Sequence, residues 1–238
     1  MNEERLYRMI DEKEGRVALA FPALMRKVYV WMTLAMIITG ITAYGVANSP
    51  GLMYAILSNS VVFYGLIIAE FALVIAISGA INRLSATTAT LLFILYSVVN
   101  GTTLSTIFLA FTMQSIATVF FVTAGLFAVM ALIGYTTKTD LTSLGKMLFM
   151  ALLGIVLATI VNIFVGSSML EMIVSYVGVV VFVGLTAYDS QKIKAMLYDA
   201  DSTSEQSQKL ALLGSLTLYL DFINLFLMLL RIFGNSRD

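Results

Sequence analysis

Seven apolar runs follow one another along most of the chain, at roughly 28–47, 60–81, 87–110, 115–136, 146–166, 169–189 and 210–232. Each is close to the about 20 residues that carry a helix across a bilayer. No other feature narrows the fold as far. Lipid offers no partner to an open backbone, so each segment must satisfy its own N–H and C=O groups. The runs lack the two-residue alternation of barrel strands, which leaves the helix. The only prolines, Pro22 and Pro50, lie outside all seven runs. The expected fold is therefore all-α, a polytopic membrane protein of seven transmembrane helices. Residues 1–27 read as a polar tail and 28–233 as a single membrane domain, without linker or internal repeat.

Composition agrees with this class and excludes several functions. The chain of 238 residues is 60% hydrophobic and 12% charged, with a mean hydropathy of +0.94. A soluble domain is about 45–50% apolar and about 25% charged. Basic and acidic residues balance at 14 each, which gives no support to a nucleic-acid partner. Cysteine is absent, and with it disulfides, thiol nucleophiles and Cys-bound metals. Histidine is absent too, so no Ser-His-Asp triad, HExxH zinc site or imidazole relay is possible. Chemistry here rests on carboxylates, Lys, Arg, Tyr and hydroxyls, and no resident cofactor is expected.

Lys and Arg set the expected orientation. The tail and the loops after runs 2, 4 and 6 hold 12 of the 14 basic residues, while the loops after runs 1, 3 and 5 hold none. This places the N-terminus in the cytoplasm and the C-terminus outside. Trp31 reads as an interfacial anchor.

Polar residues inside the runs are the candidates for function. Asp221 lies near mid-depth of run 7, about 16 Å along the helix from Leu210. Steps of three and four give Gly214, Thr217, Asp221, Asn224, Met228 and Arg231, so one face carries nearly all its polar groups. Such a seam turns toward protein or water, because a carboxylate at that depth costs about 2.5–3.5 kcal/mol. Asp189 closes run 6 beside Lys192, Glu70 lies within run 2, and Arg83 follows its cytoplasmic end. The patch "NGTTLST" in run 3 and Asn162 in run 5 read as helix-packing groups or a kink. Buried acids that meet can share one proton and titrate as a pair. With the proton the pair is a hydrogen bond between helices; without it the charges repel and draw in water or a cation. Two or three acids are too few for tight Ca²⁺ storage. They suffice for a weak, transient contact at Asp189 and Asp221.

The segments "GLTAYDSQKIK" and "LYLDFINLFLMLLRIFG" resemble the signature segments of the transmembrane Bax inhibitor motif family, and "NIF" in run 5 fits as well. The resemblance covers essentially the whole chain. It implies seven helices with the last in the centre, and a pH-dependent calcium leak in which Asp189 and Asp221 form the sensor. It further implies gating by Glu70 and a partner arginine, for which Arg83 is the available residue; Asn224, on the Asp221 face, is a further possible partner. The expected function is a pH-sensitive cation leak, with calcium and protons as the ions and the bilayer as surroundings. The expected location is a bacterial inner membrane. Two alternatives stand beside it. One is a non-transporting regulator of cell-death or quality-control proteins. The more distant one is an intramembrane aspartyl protease, which needs a glycine-containing motif where this chain has "LYL" before Asp221.

Overall fold

The computed structural model describes residues 3–198, 200 and 204–237, with side chains from residue 21 onward. Among them it contains nine helices: α1 Glu3–Ala47, α2 Pro50–Ser58, α3 Ser60–Ala80, α4 Ala86–Leu104, α5 Ile107–Ala110, α6 Met113–Thr136, α7 Thr142–Val165, α8 Ser168–Tyr198 and α9 Glu205–Phe233. Seven segments are long and apolar enough to cross a membrane, α4 and α5 counting as one. The all-α, seven-span expectation is met.

Helix α9 is the centre. It packs against α8, α1, α6 and α4. Of its most apolar stretch 61% is buried, against 6% for α3 and 11% for α7. Leu216, Leu218, Tyr219, Phe222, Leu225 and Leu230 are fully enclosed. In contrast, α3 packs along α4 and α7 along α8, and no extensive α3–α7 contact closes the space between them.

The ends of α9 are tied on both sides. At the basic end Lys209 donates to Leu84 O (3.1 Å), Gln206 to Asn82 Oδ1 (3.0 Å), and Ala86 N to Glu205 Oε1 (2.9 Å). These bonds clasp the α3–α4 turn. At the other end residues 234–237 cross the α5–α6 turn. Thr112 N donates to Asn235 O, Arg237 N to Ala110 O and Asn235 N to Ser115 Oγ.

Four boundaries differ from the sequence reading. First, α1 runs through Pro22, and its candidate span begins at Phe21, seven residues before the expected start at 28. Arg26 and Lys27 suggested a tail, but Leu24, Met25 and Val28 are buried. The Lys27 stem reaches along the helix so that Nζ meets Gln208 Oε1 at 3.0 Å. Second, run 3 is broken after Leu104. Ser105 and Thr106 turn their hydroxyls onto Thr102 O (2.6 Å) and Thr103 O (2.9 Å). Third, the short helix α2 occupies the loop after the first span, with Pro50 at its first turn. Fourth, α8 does not stop at 189 but continues to Tyr198. The residues after Asp189 bind the α6–α7 turn: Gln191 accepts from Leu141 N and donates to Thr139 O, and Lys194 donates to Tyr135 O. Much of the expected loop 190–209 is therefore helix; its residues 199 and 201–203 lie outside the described set.

Candidate functional site: a carboxyl pair in a membrane-level cavity

Helices α8 and α9 are antiparallel, and three contacts fix their register. Glu171 pairs with Arg231 at 3.7 Å. A Cβ on Gly178 would meet Met228 Sδ at 2.8 Å, and one on Gly214 would meet Ile193 at 3.0 Å. By this register Asp221 stands about one turn, about 5 Å, farther from the basic end than Asp189. Helical side chains tilt toward the N-terminus of their own helix. That tilt carries Asp189 away from the basic end and Asp221 toward it, so the carboxyls converge. They lie within hydrogen-bonding reach of each other.

Both are enclosed, with Asp189 9% and Asp221 5% exposed. Two carboxylates offer no donor to each other, so this contact requires a proton between them.

The backbone around Asp189 is held from two sides. Gly134 of α6 lies so close to Ala187 O that any side chain there would collide. Ser190 Oγ donates to Ala131 O (2.8 Å) across the same contact. On the α7 side, a Cβ at Gly145 would come within 2.5 Å of the Tyr188 ring. Tyr188 and Asp189 are thereby fixed between α6 and α7.

The pair borders a cavity of about 1010 Å³ between α3, α4, α7, α8 and α9. Asp189, Asp221, Glu70, Asn224 and Thr217 contribute to its lining, with Phe71, Tyr96, Phe149 and Phe182 among its apolar walls. Lys146 and Lys192 stand at its basic end. Lys192 is the cation that acts on Asp189, and its ammonium lies 5.8 Å from the Tyr188 ring centre. Outside the spans, Thr142 hydrogen-bonds the Asp140 carboxyl and holds it below the usual carboxylate range. Lys146 adds to that effect.

Glu70 begins a second polar chain. Its Oε2 accepts from Asn100 Nδ2 (3.2 Å). Asn100 Oδ1 accepts from Tyr219 Oη (2.8 Å). The Tyr219 hydroxyl lies 2.7 Å from Thr39 Oγ1, which donates to Ser97 O (3.0 Å). This chain joins α3, α4, α9 and α1 one turn from the aspartate pair. Glu70 Oε1 and Asp221 Oδ2 are buried and receive no protein N–H or hydroxyl donor.

The sequence candidates separate on this frame. Asp189 and Asp221 meet, while Glu70 and Asn224 border the same cavity. Arg83 does not belong there. It is exposed in the α3–α4 turn and makes no ion pair among the described residues. The cation that acts on Asp189 is instead Lys192, one turn beyond it on the continued α8, with no close ion pair between the two among the described residues. No group of three acids suited to a resident metal ion occurs among the described residues.

A family model described as "Inhibitor of apoptosis-promoting Bax1" matches residues 22–238. The chain belongs to this Bax inhibitor-like family. Its relatives include the inner membrane protein YbhL of Escherichia coli K12, 55% identical over 90% of this chain and 92% of that protein. A Borreliella burgdorferi protein is 45% identical over 97% of this chain and the full length of the relative. A third, from Rickettsia prowazekii, is 41% identical over 90% of each. The match spans all seven candidate membrane helices, and the chain is an integral membrane protein of the Bax inhibitor-like family.

Tyr219, its partner Thr39 and Lys146 escaped the sequence reading. Tyr219 lies two residues from Asp221 and so off the face found by steps of three and four; its signal was the unpartnered amide of Asn100 in "NGTT". Lys146 was read as a loop charge, although it follows the start of α7 by only four residues.

Proposed function

We propose that this protein is a cation leak pathway, with calcium as the permeant ion, gated by proton exchange at Asp189 and Asp221. One observation carries the reading: two enclosed carboxyls from adjacent helices touch at the edge of a large cavity. Their contact holds α8 to the central helix α9 only while a proton remains between them. Loss of that proton turns an attraction into repulsion and leaves oxygen ligands facing the cavity, where a divalent ion makes a brief contact. Cavity-facing Glu70 and Asn224 extend this set of oxygens along the path. Family membership supports the same reading, and the E. coli relative YbhL is named an inner membrane protein. We place this chain likewise in a bacterial inner membrane, with its N-terminus in the cytoplasm.

Purified protein in calcium-loaded vesicles provides the test, with flux followed against pH for wild type, Asp189→Asn and Asp221→Asn. An asparagine amide donates at every pH, so each variant should lose most of the pH dependence. An unchanged profile in both variants ends the latch reading. Absence of flux at every pH favours the non-transporting regulator.

A further inference from the structure

The cavity combines three properties that a pathway for hydrated ions does not need together. It is bordered by α3 and α7, the two least buried spans, which share no extensive contact. Its sides therefore face lipid. Its walls are mostly apolar and carry aromatic rings at two levels. Phe71 and Phe149 are exposed on opposite rims, and Tyr96 and Phe182 are buried behind them. Its floor holds carboxyl oxygens that lack donors: Asp221 Oδ2, on a side chain 5% exposed, and Glu70 Oε1. The proton between Asp189 and Asp221 can satisfy the first. The hydroxyl beside the second, that of Thr103, is directed to Val99 O (3.3 Å).

We propose that this cavity binds lipophilic organic cations, which enter from the bilayer between α3 and α7. Such a cation carries weakly hydrated charge on an apolar body. It loses little on leaving water, it stacks on aromatic faces, and it supplies positive charge to the orphaned carboxyl oxygens. The volume of about 1010 Å³ is at the upper end of the about 300–1,000 Å³ of pockets for drug-sized ligands. Lys146 and Lys192 border the basic end and repel cations arriving from water there, which leaves the lipid route. Anions meet the reverse arrangement, with the lysines reachable only at the rim and acids farther in.

The site is the cavity of the proposed leak pathway, but binding requires no ion to cross. Tetraphenylphosphonium and tetraphenylborate have nearly the same shape and opposite charge. Saturable binding of each to the full-length protein in lipid nanodiscs, measured by equilibrium dialysis, separates charge recognition from filling of a greasy space. Wild-type protein should bind the phosphonium at least tenfold more tightly than the borate. Glu70→Gln and Asp221→Asn should each weaken phosphonium binding at least tenfold. Lys146→Gln should tighten it, which gives a variant with a gain of signal should the acid variants fail to fold. Equal binding of the two ions, or undiminished phosphonium binding in well-folded acid variants, overturns the site. Calcium flux without phosphonium binding defeats this proposal and spares the leak reading. Binding without flux does the opposite.

Discussion

The hydroxyls of Thr39 and Tyr219 have two protons for three contacts. Those contacts are Tyr219 to Asn100 Oδ1, Thr39 to Tyr219, and Thr39 to Ser97 O. One of the three therefore lacks a donor while Glu70 is ionised. A proton on Glu70 resolves the shortage. Glu70 then donates to Asn100 Oδ1 with the amide turned over, Asn100 donates to Tyr219, Tyr219 to Thr39, and Thr39 to Ser97 O. Turning the amide leaves its shape unchanged. Tyr219→Phe should cost about 1–3 kcal/mol, the range for stranding buried polar partners, read as a lowered unfolding temperature in detergent. Glu70→Gln supplies a permanent donor and should remove any pH dependence of the Tyr219 environment, followed by its ultraviolet absorbance. The aspartate pair follows the same rule. Asp221→Asn places a permanent amide donor against Asp189 and should leave stability less dependent on pH than in wild type, read from unfolding temperatures in detergent across pH. At this scale sequence and structure agree where a helical repeat isolates a residue, as for Asp221. They part where the partner lies on another helix, as for Tyr219 and for Lys192, which the sequence placed in a loop.

Two of the chain's glycines fix how closely the helices approach. Gly134 admits the α8 backbone at Ala187, and Gly101 admits α1, where a Cβ would stand 2.6 Å from Thr39 O. Neither neighbour can yield, since both are backbone. Gly134→Ala should push α6 from α8 beside Asp189 and lower stability by more than the about 1 kcal/mol of helix propensity that alanine returns. Gly40→Ala, facing open space, serves as the control and should be neutral or stabilising. Denaturation midpoints for both variants decide the point. The same elements show what apolar length alone can and cannot specify. Seven spans were legible because lipid demands length and apolarity together. The end of α8 was not, because its last turns are polar outside yet bury Ile193 and Leu197. The break after Leu104 was visible only as a cluster of hydroxyls. Their bonding to backbone carbonyls ends the helix without a proline.

At the scale of the whole molecule, the ties at both ends of α9 make the central helix a strut between the two membrane faces. Helices α3 and α7 are the least attached, α3 to α4 and the short α2, and α7 to α8. Movement that opens the cavity is therefore cheapest at α3 and α7 and costliest at α9. The proposed orientation rests on charge: the turns 81–85 and 137–141 lie on one side with the basic start of the first span, and the strap 234–237 lies on the other. The absence of cysteine makes this directly measurable. Single substitutions Asn82→Cys and Thr139→Cys on one side, and Asn48→Cys and Ser236→Cys on the other, should divide cleanly in intact cells. A membrane-impermeant maleimide should label the latter two and spare the former two. The reverse pattern would invert the topology. Labelling of Asn82→Cys and Ser236→Cys together would mean that α9 does not cross, and would remove the strut on which the placement of Asp221 depends.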